Sequence, residues 1–171
     1  MREIAFIGLG ANLNHPVAQI ERAIAAIAAL PHTDLLRRSG LYGSRPMGPA
    51  DQPDYVNAVA QVDTRLPPED LLTALLAIES QQGRERSPAQ RNGPRTLDLD
   101  LLLHGDAVRA DPALTLPHPG AHERDFVLLP LAEIAPDLVI PGRGAVRELL
   151  AACIGHGVRR LTSVAPAALA G

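Results

Sequence analysis

The chain has 171 residues, 46% hydrophobic and 20% charged, which suits one globular domain large enough to bury a core without disulfide staples. Net charge is −3, so the whole molecule is not built to bind DNA or an anionic membrane. All 16 basic residues are arginine, and without lysine neither a Walker-type phosphate loop nor a Schiff-base mechanism is available.

No apolar run approaches the length of a membrane span. The opening Met1-Arg2-Glu3 leads at once into a strand-like run with no signal-peptide layout, so a cytoplasmic location is expected. The lone cysteine, Cys153, lies in an apolar stretch and is expected as a core thiol.

In chain order, Ile4 to Leu9 is an apolar run expected as a buried strand, with Gly8-Leu9-Gly10 as its turn. Asn14 is placed to cap the next helix, with Pro16 in its first turn and Ile20, Ile24, Ile27 and Leu30 as its apolar face. Leu35 to Tyr42 predicts a strand, and the Pro- and Gly-rich stretch from Gly43 to Pro53 a long loop. Tyr55 to Asp63 alternates as a strand does. Pro67 and Pro68 open a second helix with Leu71, Leu72, Leu75 and Ile78 on one face and Gly83 as its C-terminal cap. A polar loop from Arg84 to Arg95 precedes a fourth strand, Thr96 to Leu103. Helices around Leu128 to Ile134 and Val146 to Ile154 complete residues 1–161, and Thr162 to Gly171 is expected as a loose tail. Strand, helix, strand, strand, helix, strand is the split βαβ, ferredoxin-like order of an α+β domain.

The chemistry concentrates in Arg91-Asn92-Gly93-Pro94-Arg95-Thr96-Leu97-Asp98-Leu99-Asp100-Leu101-Leu102. On a strand, residues two apart share a face about 6.6 Å apart, so Asp98 and Asp100 point one way and Leu97, Leu99 and Leu101 the other. Two carboxylates on one face repel unless a cation joins them, and magnesium binds one or two carboxylates while keeping positions for water and phosphates. Arg84, Arg86, Arg91 and Arg95 lie within twelve residues just before the pair, and guanidinium forks match phosphate oxygens. Metal-binding carboxylates beside several arginines is the equipment of phosphoryl transfer. The plainer alternative is a solvated acidic strand beside a salt-bridged loop. An RNA-binding role lacks support, because the chain has only two Phe, two Tyr and no Trp for base stacking.

That motif closely resembles the signature of the 6-hydroxymethyl-7,8-dihydropterin pyrophosphokinase family of folate biosynthesis. Further resemblance runs in order along the chain: Gly8-Leu9-Gly10-Ala11-Asn12-Leu13, Gly48 to Ala58, Glu79 to Arg84, Leu116-Pro117-His118-Pro119 and Arg124 to Leu131. The resemblance implies an ATP-dependent transferase in which the substrate's hydroxymethyl oxygen attacks the β-phosphorus of ATP and AMP leaves. It implies that Asp98 and Asp100 ligate two Mg2+ ions, and that they act with Arg84 and Arg95 in catalysis. It places Glu79, Arg84, Arg86, Arg95, Leu101, Thr115, His118 and Arg124 at ATP. It places Ser44, Met47, Tyr55, Asn57, Asp98 and Phe126 at the pterin, with Tyr55 and Phe126 sandwiching the ring and Asn57 on its polar edge. No nucleic acid or membrane partner is implied, and a monomer is expected.

The residue types agree with this: a flat polar heterocycle needs aromatic faces and an amide that both donates and accepts. The chain departs from the family's usual pattern at Asn92, Pro119, Leu76 and Ala113, where tryptophan, tyrosine, glutamine and a basic residue are common. These departures bear on the ATP contacts and on closure of the arginine loop. Neither the metal pair nor the pterin residues depart. The alternatives are a different metal-dependent nucleotide enzyme and a relative that binds pterin without turnover.

Overall fold

A computed structural model describes residues 2–13, 15–45, 54–82, 97–153 and 157–161. Its frame is β1 (Glu3–Ala11), α1 (Pro16–Ala28), β2 (Thr33–Arg38), β3 (Tyr42–Ser44), β4 (Tyr55–Thr64), α2 (Pro68–Gln81) and β5 (Asp98–His104). A short hairpin follows, β6 (Arg109–Asp111) and β7 (Leu114–Leu116), then α3 (Asp125–Ile134), a second hairpin of β8 (Val139–Ile140) and β9 (Gly144–Ala145), α4 (Val146–Ala152) and β10 (Arg159–Arg160). The result is a mixed α and antiparallel β architecture.

The main sheet runs β10-β3-β4-β1-β5, with β2 also pairing β4. Each of its pairings is antiparallel. Alternation along the strands gives the sheet two different faces. One face carries Ala5, Ile7, Leu9 and Ala11 of β1, Val56, Ala58, Ala60 and Val62 of β4, and Leu99 and Leu101 of β5. It packs against Ile20, Ala23, Ile24 and Ile27 of α1 and Leu71, Leu75 and Ile78 of α2. The other carries Phe6, Val59, Leu102 and Leu103, covered at one end by Val127, Leu128, Leu131 and Ile134 of α3 and by Val146 of α4.

Several local expectations are corrected. Gly8-Leu9-Gly10 is not a turn: β1 continues through it, because it is laddered on both sides, to β4 as far as Ala11 and to β5 as far as Gly10. The single strand expected over Leu35 to Tyr42 is two strands. They are interrupted at Ser39, whose hydroxyl accepts the Val59 amide and donates to the Gly40 carbonyl, and at Gly40, whose amide turns to Glu133. The helix expected from Leu128 begins earlier, at Asp125. The first helix ends at Ala28, so Leu30 lies beyond it, partly buried against the same core. His15, not Asn14, occupies the cap position of α1; Asn14 lies outside the described residues, as do Gly83 and Thr162 to Gly171. Cys153 is only partly buried, packed against the second core, with its thiol donating to the Glu123 carbonyl at 3.1 Å. Among the described residues, no helix is long and apolar enough to cross a membrane.

Candidate active site

The uncovered end of the second face forms a pocket lined by Gly8, Leu9, Gly10, Ser44, Arg45, Tyr55, Asn57, Ala58, Asp98, Asp100, Leu102, Arg124, Phe126 and Val127. Four strands contribute to it. Leu97, just before β5, and Leu99 and Leu101 within it are 0, 3 and 4% exposed in the helix-side core, which turns Asp98 and Asp100 to the pocket. Their neighbours across the ladder are Gly10, paired with Asp98, and Gly8, paired with Asp100. Both carboxylates therefore face strand positions without side chains, and a ligand can approach the backbone there. A Cβ on Gly10 would stand 3.4 Å from Asn57 Oδ1 and 3.8 Å from a Tyr55 ring carbon.

β4 contributes Tyr55 and Asn57, and β3 contributes Ser44, opposite Tyr55 in the ladder. Asn57 is buried, and its Nδ2 donates to Ser44 Oγ at 2.7 Å. That contact orients the amide so that Oδ1 lies on the Gly10 side. α3 supplies the wall: Phe126 at its start, with the Arg124 guanidinium 5.9 Å above the ring centroid. Gly120 makes room for that guanidinium, since a Cβ there would lie 2.6 Å from Arg124 Cζ.

His118 is held beside β5 by its backbone amide, which donates to the Leu102 carbonyl at 2.9 Å. Its Nδ1 accepts the Gly120 amide, so the neutral ring carries its proton on Nε2. Nε2 stands 3.8 Å from Asp100 Oδ1, too far for a hydrogen bond but close enough to share a ligand. Burial lowers the His118 pKa below its ordinary value, and the Arg124 charge lowers it further, against a smaller opposing effect of Asp98.

Several expected site residues fall away from the pocket lining. The Leu101 side chain is buried in the helix-side core, so only its backbone is open to a ligand. Thr115 is exposed on β7, where its hydroxyl contacts the Asp111 carbonyl at 3.4 Å. Glu79 is 2% exposed and its Oε2 accepts the Leu99 amide at 2.7 Å. Met47, Arg84, Arg86 and Arg95 lie outside the described residues. Conversely, Arg45 lines the pocket although nothing in its sequence context singled it out. Gly8 and Gly10 are floor residues whose signal, glycine at alternate positions of an apolar strand, is legible once the strand is known to continue.

The donor set suits a hard cation. Among the described residues no cluster of three His, Cys, Asp or Glu exists, but Mg2+ asks for only one or two carboxylates and completes its shell with water and phosphate oxygens.

The model of the 7,8-dihydro-6-hydroxymethylpterin-pyrophosphokinase family matches residues 6–136. The chain is 51% identical over 161 residues to the 2-amino-4-hydroxy-6-hydroxymethyldihydropteridine pyrophosphokinase of Pseudomonas aeruginosa, covering 94% of this chain and 98% of that one. It is 48% identical over 157 residues to the enzyme of the same name from Haemophilus influenzae, covering 92% and 97%. The solved Plasmodium falciparum HPPK-DHPS with pteroate superposes over 88% of this chain with a TM-score of 0.68 at 14% identity, a likeness of fold. This chain spans 42% of that longer chain. With the family model covering most of the chain and near-full-length relatives at about half identity, the chain belongs to the 7,8-dihydro-6-hydroxymethylpterin-pyrophosphokinase family.

Proposed function

We propose that Asp98 and Asp100 hold two Mg2+ ions, while Tyr55, Phe126, Asn57 and Ser44, with Met47, hold the pterin of this family's reaction. The chain is an ATP-dependent pyrophosphokinase of folate biosynthesis. In its reaction the hydroxymethyl oxygen of 6-hydroxymethyl-7,8-dihydropterin forms a bond to the β-phosphorus of ATP. The bond from that phosphorus to the oxygen bridging to the α-phosphate breaks, and AMP leaves with the electron pair.

The observation that carries the residue assignment is the meeting of paired carboxylates with an aromatic and amide-lined slot in one pocket. Asn57 donates to Ser44, which leaves its Oδ1 to accept from an amino or ring N–H of the substrate. Phe126 and Tyr55 offer apolar ring faces to a flat heterocycle. Bound there, the pterin lies on the side of the pocket occupied by Gly10 and Asn57, and its hydroxymethyl arm points along the floor to Asp98 and Asp100. His118 Nε2–H and the Arg124 guanidinium are donors to the triphosphate, with Arg84, Arg86 and Arg95 as further cations. Glu79, Leu101 and Thr115 are assigned to the nucleotide end by resemblance alone. Magnesium held by Asp98 and Asp100 would offset charge on the triphosphate. The protein's own part is positioning, with Asp100 assisting removal of the hydroxyl proton.

The strand order supports reading the frame as a ferredoxin-like split βαβ unit in which β2 and β3 share the second strand's place beside β4. One copy supplies the aspartates, the amide and both aromatics, so the monomer is taken as the catalytic unit. A cytoplasmic location goes with this reading.

The deciding experiment incubates the purified protein with ATP, Mg2+ and 6-hydroxymethyl-7,8-dihydropterin and identifies the nucleotide product. AMP appearing only when pterin is present is expected. ADP would overturn the β-phosphorus assignment, and pterin binding with no nucleotide product would mean that the chain no longer turns over.

A further inference from the structure

Glu79 lies in the last part of α2, and its carboxylate is buried although the chain could have left it in water. A carboxylate taken out of water needs strong hydrogen bonds in return. Its Oε2 accepts one particular N–H, that of Leu99, at 2.7 Å. Leu99 stands between Asp98 and Asp100. Among the described residues β5 is the edge of the main sheet, laddered to β1 alone, and an edge strand has N–H groups that its one neighbour does not satisfy. The Leu99 amide goes to a side chain of α2 instead.

The peptide plane that carries this N–H joins Asp98 to Leu99. Because that plane is rigid, holding its N–H restrains ψ of Asp98 and φ of Leu99, two of the four backbone torsions that lie between the two carboxylate-bearing Cα atoms. We propose that Glu79 is a positioning residue: its hydrogen bond to Leu99 locks the backbone between the two aspartates and presets the spacing of the metal-binding carboxylates. This rests on the reading of Asp98 and Asp100 as metal ligands. It gives Glu79 a part distinct from contact with the nucleotide, since its side chain leaves α2 beside Leu75 and Ile78 on the helix-packed face and is not among the pocket-lining residues. Partners that orient a metal's ligands commonly change metal affinity by about 10–100-fold when removed.

The test uses the whole chain with two substitutions. Glu79→Gln keeps an oxygen that can accept the Leu99 amide and removes the charge; Glu79→Leu fills the space and offers no acceptor. Hydrogen exchange of the Leu99 amide, read by NMR, reports the bond directly. Mn2+ binding in the presence of a non-hydrolysable ATP analogue reports the site without turnover. Glu79→Leu is expected to speed Leu99 exchange, to weaken Mn2+ binding about tenfold and to lower kcat with little change in the pterin KM. Glu79→Gln is expected to recover most of each loss.

Three results would overturn the proposal. One is a Glu79→Gln protein as impaired as Glu79→Leu, which would mean that the charge rather than the bond matters. Another is a loss confined to the KM for ATP, which would return Glu79 to the nucleotide. The third is unchanged Leu99 exchange and Mn2+ binding in Glu79→Leu. Should Glu79→Leu fail to fold, Leu99 exchange in the unsubstituted chain decides: a protected amide is expected, and exchange as fast as that of a solvent-exposed edge amide would overturn the proposal. Asp100→Asn separates the two readings: if it leaves Mn2+ binding intact, the metal assignment fails, while Leu99 exchange still reports whether Glu79 holds the strand.

Discussion

The two faces of the central sheet are made by the same strands and differ in nearly every respect. On the helix-packed face β1, β4 and β5 present an unbroken set of aliphatic side chains, closed over by α1 and α2. On the other, those strands present Gly8, Gly10, Asn57, Asp98 and Asp100, and α3 covers only part of them. The period-2 geometry of a strand lets adjacent residues serve opposite purposes, with Leu99 in the core between two aspartates in the pocket. The helix-packed face carries the larger of the two apolar cores, and the uncovered end of the second face leaves room for paired carboxylates that a closed core would hold only with hydrogen-bond partners, as it holds Glu79.

Substitutions on each face should therefore separate activity from stability. The largest effect is expected from Asp100→Asn. Turnover should fall on the order of a thousandfold, as when an electrostatic partner of the transition state is removed, while the melting temperature holds. Near-normal turnover would refute the placement of the metal end. On the opposite face, Leu75→Ala should cost about 3 kcal/mol in urea unfolding, with the folded fraction keeping its pterin affinity. A marked loss of affinity at full folding would show that the two faces are not independent.

Gly10→Val sharpens the comparison further. The new methyls enter the floor beside Asn57 and Tyr55, so pterin binding measured by calorimetry should weaken about tenfold or more with little effect on the helix-packed core.

The smallest expected effect lies at the sheet's far edge, where the Tyr42 hydroxyl donates to Glu133 Oε1 at 2.7 Å. Burial first, and the Glu133 carboxylate second, hold the Tyr42 pKa above its ordinary value of 10. The folded state thus favours the protonated phenol. This contribution is complete below about pH 10, where the unfolded tyrosine is also protonated, and is lost as pH rises and only the unfolded chain ionises. Tyr42→Phe should lose about 1 kcal/mol at neutral pH and fall less steeply in stability between pH 10 and 11 than the parent chain. Parallel pH profiles would count against it.

Much of this was legible in residue order. Leu97-Asp98-Leu99-Asp100-Leu101 announces a strand with one apolar and one acidic face, and the isoleucines of α1 announce its buried stripe, because both signals are local periodicities. The ends and interruptions were less legible. Gly8-Leu9-Gly10 has the composition of a turn, and only laddering on both sides keeps it extended. The break at Ser39 and Gly40 depends on bonds to Val59 and to Glu133, 20 and 93 residues away. The β6–β7 hairpin and the two-residue β10 are too short to carry a pattern. β10 forms by antiparallel pairing with β3 and is flanked by a weak Arg160–Glu133 contact of 3.5 Å.

The site divides the same way. The identities of Asp98, Asp100, Asn57, Tyr55 and Phe126 could be picked out in advance from residue chemistry and motif resemblance. That Asp98 and Asp100 look onto glycines, that Arg45 lines the pocket, and that Glu79 reaches the Leu99 amide were decided only when distant segments met. A sequence by itself determines which face of each strand or helix each residue occupies, because that follows from backbone periodicity. Which strand lies alongside, and so which side chain or missing side chain stands opposite, is set by the register of long-range hydrogen bonds. That register is a property of the assembled sheet, and it made the pocket.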